Sequence, residues 1–231
     1  MRILSTLLLS AVFAMPLASV SLADTAGTIT VTGAATVNVV PDLATIQLGV
    51  TTQGTTAAEA MAANTAALTG VIARLKTAGV ADRDMQTSNL SLNPNWVTNS
   101  AGTGSEVQGY IATNMLTVRV RALDSTGAVL DASISDGANT LNGLTFGLQD
   151  PRPQEDAARK AAVVDAMARA KMLVEAAGQH LGRILSISEQ QSYDGGMPMA
   201  YSKVMDAAPV PVAGGEVGIS AQVSMVFEIA P

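Results

Sequence analysis

Hydrophobic positions along the chain switch between two periods. Residues 28–40, "TITVTGAATVNVV", alternate patchily around Gly33, and residues 44–52, "ATIQLGVTT", put Ile46, Leu48 and Val50 on one face. Both stretches read as strands, because side chains on a strand point to opposite faces in turn. Pro41 and Asp42 separate them. Proline fixes φ and cannot donate to a ladder, and a short aspartate side chain accepts bonds from nearby amides, so the pair predicts a tight hairpin or a strand bend. Thr56, with Glu59 three residues later, forms a capping box. It opens a helix with Met61, Leu68, Val71, Ile72 and Leu75 at apolar positions, running to about Lys76 and closed by Gly79 as a left-handed cap.

Beyond it, "MQTSNLSLNPNW" and "GYIATNMLTVRVRAL" flank the Gly/Ser loop "SAGTGSE" and predict a long hairpin. Asp124 is placed to cap a second helix that ends near Gly137, and "TLNGLTFGLQ" reads as a strand. Pro151, at the first helical position, starts the third and longest helix, which runs to about Ala177. Its pairs Glu155–Arg159, Asp156–Lys160, Asp165–Arg169 and Lys171–Glu175 are spaced to meet on the helix surface. "RILSISEQ" is a strand, and residues 193–215, rich in Gly, Pro and Met, form a long loop. The last segment puts Val217, Ile219, Ala221, Val223, Met225, Phe227 and Ile229 on one face of a long strand. This order predicts an α+β fold, mostly antiparallel sheets with three main helices. It fits one domain over residues 24–231, or two subdomains of about 24–100 and 101–231.

The N-terminus changes the picture. "MR", an apolar stretch and the small-residue run "SLA" ending at Ala23 make residues 1–23 a secretory signal peptide. No later segment approaches the roughly 18 apolar residues of a spanning helix, so no transmembrane segment is expected in the mature chain. The whole chain of 231 residues carries a net charge of −6, and the loss of Arg2 with the leader makes the mature chain more acidic still. An acidic chain with no basic cluster is a poor partner for nucleic acid. The absence of cysteine excludes thiol chemistry, disulfides and a lipidated N-terminal cysteine.

Candidate chemistry is sparse, and no cofactor is expected. His180 is the single histidine, and without a second histidine or a cysteine it reads as a helix C-terminal residue facing the dipole rather than a ligand. No nucleophile elbow, P-loop or dinucleotide fingerprint occurs. Asp82 and Asp84, around Arg83, offer an acid/base pair and Asp42 a further carboxylate, but turns account for all three. Met197, Met199 and Met205 in "GGMPMAYSKVM" offer thioethers to cuprous copper, or form an adaptable contact surface.

Four stretches together carry a resemblance: "ITVTGAATVNVVPDLATIQLGV", "AAEAMAANTAALTGVIARLKTAGVADRDMQTSNLSLNP", "GYIATNMLTVRVRALDSTGAVLDASISDGANTLNGLTF" and "EDAARKAAVVDAMARAKMLVEAAGQHLGRILSISE". In this order they resemble the SIMPL-domain family, of the YggE and periplasmic immunogenic protein type, over about residues 28–230. The chain departs slightly at "DAMARAKM", and the Met/Pro loop has no counterpart in the pattern. The resemblance implies a periplasmic α+β protein, non-enzymatic, assembling into a homo-oligomer and linked to oxidative and envelope stress. It marks Pro41, Asp42, Gly109, Tyr110, Gly137, Asn139, Gly178 and Gly182 as fingerprint positions with structural roles. The alternatives are a binding module for a small ligand or copper at Met197–Met205, and a hydrolase built on Asp42, Asp82 or Asp84.

Overall fold

The computed structural model describes residues 27–98, 104–190, 198–199 and 212–231. Eight strands and three helices follow in the order β1 (Thr28–Val39), β2 (Leu43–Gly54), α1 (Ala57–Thr77), β3 (Met85–Thr98), β4 (Ser105–Val120), α2 (Thr126–Ser135), β5 (Thr140–Gly147), α3 (Arg152–Ala176), β6 (His180–Gln190), β7 (Pro198–Met199) and β8 (Glu216–Ala230). They build two antiparallel sheets, β3-β4-β2-β5 and β1-β8-β6, with β7 also beside β8. The fold is α+β, with each sheet covered on one face by helix. Each sheet with its helices forms a lobe with its own core.

The sheets do not divide the chain at residue 100. That position falls inside the β3–β4 hairpin, whose strands pair from Met85↔Val118 to Thr98↔Ser105. The division is instead residues 43–147 against the described residues before and after them, because β1 pairs along its whole length with β8, from Thr28↔Glu228 to Val39↔Val217. Pro41–Asp42 is therefore neither a hairpin nor a bend within one sheet; it is the crossing from one lobe to the other.

In the central lobe, α1 lies on β2 and β4. The alternating residues Ile46, Leu48 and Val50 meet Leu116 and Val118 beneath Leu68, Val71 and Leu75. Thr56 caps α1 with both halves of its capping box formed, and Gly79 follows with φ of 92°. Asp124 caps nothing. Leu123–Ser125 is a 3-10 turn, α2 starts at Thr126, and the Ser125 hydroxyl turns back to the Ala122 carbonyl.

In the terminal lobe, α3 packs on β1 and β8 through Ala158, Ala162, Ala166 and Ala170, spaced one helical turn apart and fully buried. They face Val31, Val223, Met225 and Phe227. A side chain at Gly33 would collide with the Ala162 carbonyl oxygen and the Ala166 amide, so the backbone of β1 rests directly on the helix. Pro151 is the N-cap, one residue before α3. On the α3 surface Asp156 pairs with Arg159 at 2.8 Å instead of with Lys160, and Arg159 also reaches Glu189 of β6 at 2.7 Å. His180 is not a helix residue. Gly178, with φ of 76°, reverses the chain, and His180 opens β6 opposite Ala230. No helix among the described residues is long and apolar enough to cross a membrane.

Candidate functional site

Two places gather polar or concave chemistry: the junction between the lobes and a cleft beside β5. At the junction Pro41 is buried, and its ring sets how near Gly214 can come, since a Cβ there would lie 3.3 Å from it. Asp42 is exposed and fully engaged. Its amide donates to the Gly147 carbonyl at 3.1 Å, its carboxylate accepts the Gln149 amide at 2.6 Å, and its carbonyl accepts the Gln149 side chain at 2.9 Å. Asp42 thus staples the outgoing chain pass at residues 147–149 to the incoming one at residues 40–42. The Gln149 side-chain oxygen accepts from Arg121 Nη1 at 2.9 Å. Arg121 in turn forks onto Asp84, with Nε and Nη2 donating at 2.9 and 2.6 Å.

Asp84 is only 5% exposed. The Arg121 hydrogen bonds hold its carboxyl below the usual carboxylate range, against the opposing effect of burial, and the charges of Arg121, Arg83 and Arg119 add to them. The same contact raises the Arg121 guanidinium. An acid held ionised, with both oxygens on one guanidinium, is built for anchoring rather than for proton transfer. Asp82 points elsewhere, to Lys76 Nζ at 2.7 Å. The three carboxylates of the hydrolase reading therefore share no common reacting position: Asp42 and Asp84 sit at two ends of a structural network, and Asp82 stands outside it.

The cleft has a volume of ≈ 200 Å³. Leu48 of β2, Leu130 and Ile134 of α2, and Ala138 and Leu141 form its apolar wall. None of Asp42, Asp82 and Asp84 lines it. Its neighbour Asn139 binds the Thr51 backbone on both sides, accepting its amide and donating to its carbonyl at 2.8 Å each, as a strand residue would.

The remaining fingerprint positions serve the backbone. Gly109 lies where a Cβ would come 2.6 Å from the Gly54 carbonyl, and Tyr110 is its half-buried neighbour, in register with Gly54. Gly137 has φ of 111° after α2. Gly182 passes Glu228 where a Cβ would stand 2.7 Å from its carbonyl oxygen. Among the described residues no group of three or more His, Asp or Glu is placed to hold a metal. Met197 and Met205 lie outside the described residues, and of Met199 only the backbone is placed, opposite Glu216.

Sequence reasoning missed Asn64, Arg121 and Gln149. Asn64 of α1 is fully buried and its side-chain amide donates to the Val50 and Ala112 carbonyls at 2.8 and 3.1 Å, tying β2 and β4 to the helix. Its signal was an amide standing in the one-turn series Ala60, Asn64, Leu68. Arg121 and Gln149 carry no such signal, because their partners are remote in sequence.

Comparison with known proteins bears on the whole fold. The family SIMPL, described as a protein of unknown function (DUF541), matches residues 29–227. The 26 kDa periplasmic immunogenic protein of Brucella melitensis biotype 1 is 39% identical over 210 residues, covering 87% of this chain and 84% of the relative. The protein of that name in Brucella abortus strain S19 is also 39% identical, with the same coverage. The uncharacterized protein YggE of Escherichia coli K12 is 28% identical over 207 residues, covering 88% and 83%.

Proposed function

The chain belongs to the SIMPL family, and from that premise and its exposed sheet edges we propose that it is an exported, non-enzymatic envelope protein that self-assembles into a homo-oligomer and contributes to oxidative and envelope stress tolerance. The observation that carries the assembly reading is the apolar surface beside two edge strands. Leu90, Leu92 and Trp96 stand exposed on β3, Trp96 at 61%, and Ile184, Leu185 and Ile187 on β6. An edge strand presents unpaired backbone groups, and clustered apolar side chains beside it favour a protein neighbour over water. Non-enzymatic character is supported by the junction, where Asp42 and Asp84 are held in structural bonds. Export rests on the leader-like residues 1–23, cleaved after Ala23, and on the periplasmic name of the Brucella relatives. The stress role rests on the family resemblance.

Light scattering on the chain from Asp24 onward, across a concentration series, tests the assembly. The expected result is a mass several times that of one chain and independent of concentration. A strict monomer at micromolar concentration overturns it.

A further inference from the structure

Alternation along β3 and its burial disagree. In "SNLSLNPNW" the apolar residues Leu90, Leu92, Pro94 and Trp96 recur at every second position, yet all four are exposed, while Ser91 and Asn95 between them are half-buried. Leu90, Leu92 and Pro94 stand opposite Asn114, Ala112 and Tyr110 of β4, which lie at even steps from the core residue Leu116. Directly opposed residues share a face, and side chains two apart on a strand do so too. The stripe is therefore on the face that carries α1. Trp96 continues it, opposite Val107 of β4; the extra residue in the register there is Gln108 of β4, so β3 keeps its alternation. α1 packs over β2 and β4, and of β3 only Met85 joins the core. The apolar face of β3 thus prolongs the core surface past the helix that covers it.

Charge and shape select the occupant. β3, "MQTSNLSLNPNWVT", has no charged residue, in a chain of net charge −6. Two copies can meet there without bringing their acidic surfaces together, whereas a charged foreign partner finds nothing to hold. Pro94 blunts the edge against a further strand, so an occupant comes face-on. Beside the stripe α1 makes a step about 10 Å high, the width of a helix. Two sheets pack face to face at the same spacing of about 10 Å. A sheet edge with a step of its own fills such a space, and a second copy turned over by a twofold axis supplies one.

We propose that the β3 stripe is where the chain meets a second copy of itself. The two stripes lie face to face about a twofold axis near Asn93, with Leu90 of each copy against Trp96 of the other. This inference rests on the assembly reading and narrows it to one face of β3, with β6 outside the contact.

Trp96 is the single tryptophan of the chain, so its fluorescence reports on the contact without a label. The test is acrylamide quenching of the chain from Asp24 onward, read beside its mass by light scattering. The wild type should be an assembly in which Trp96 is shielded. Leu92→Asp, a change at an exposed position, should lower the mass at least about twofold and raise the quenching several-fold. Ile187→Asp on β6 should leave Trp96 shielded. An assembly whose tryptophan is quenched as freely as N-acetyltryptophanamide overturns the proposal and leaves the assembly reading standing, and that result needs no variant. An assembly that keeps its mass with Leu92→Asp does the same. A monomer overturns both readings; if Trp96 is shielded in it, the chain's own residues cover the stripe.

Discussion

The two lobes lay a helix over an antiparallel sheet with opposite materials. In the central lobe the space between α1 and the sheet is filled by branched side chains, Ile46, Leu48, Val71, Leu75 and Leu116. In the terminal lobe α3 offers four alanines, β1 offers Gly33, and the bulk comes from β8 as Met225 and Phe227. Helix and strand there approach until backbone meets backbone. Close packing can thus be reached by interlocking volume or by removing it, and the two solutions fail in opposite directions.

The comparison is sharpest in substitutions that change volume. Ile46→Ala empties a fully buried site between β2 and α1, and a loss of about 2–5 kcal/mol is expected in urea unfolding. A loss below about 1 kcal/mol would show a core that collapses freely, and the contrast would fall. In the terminal lobe the damaging change is enlargement. Gly33→Val forces β1 off α3, at an expected cost of about 1–3 kcal/mol or more. Stability equal to the wild type would show that the contact is loose.

The junction lies between these extremes, since it is held by polar bonds. Asp84→Asn removes the charge from the Arg121 fork, and a loss of about 1–3 kcal/mol is expected, smaller than that of a core cavity because Arg121 is half exposed and can return to water. The pair is read by comparing urea midpoints at pH 7 with and without Arg121→Gln. Coupled substitutions whose effects simply add would deny the fork its role.

The smallest effect concerns pH. The Ala34 amide, and then Arg169, hold the Asp165 carboxyl below its usual range. Its folded value is thus lower than its unfolded one, so its contribution is complete above the unfolded value of about 3.9 and disappears as pH falls through the folded value. Thermal melts from pH 6 to pH 2 should show Asp165→Asn less stable than wild type at the upper end and level with it at the lower. A constant difference across the range would assign the effect to packing. The Asp84 fork has the same sign and adds to the acid sensitivity of the wild type.

What could be read from the chain was whatever is settled by neighbours within a turn or two. The Thr56–Glu59 box, the left-handed Gly79 and the alternation of β8 depend on residues close by in sequence, and each stands in the structure as the pattern predicts. Local reading failed where two local solutions compete. Asp124 lost its cap to a 3-10 turn, and His180 went to β6 because Gly178 ends the helix earlier. Of the candidate site, proline and aspartate together marked a break in the strand at residues 41–42, but not that the break is the crossing from one sheet to the other. Nor did they mark the partners of Asp42. Gln149 and Arg121 are brought to it only by the pairing of β2 with β4 and β5. The cleft beside β5 likewise exists only once α2 is packed against that sheet. The pairing of β1 with β8 shows the limit most plainly. Alternation declares that a strand has an apolar face and says nothing of which strand will lie beside it, so only the burial of β1 and β8 together against α3 could join them.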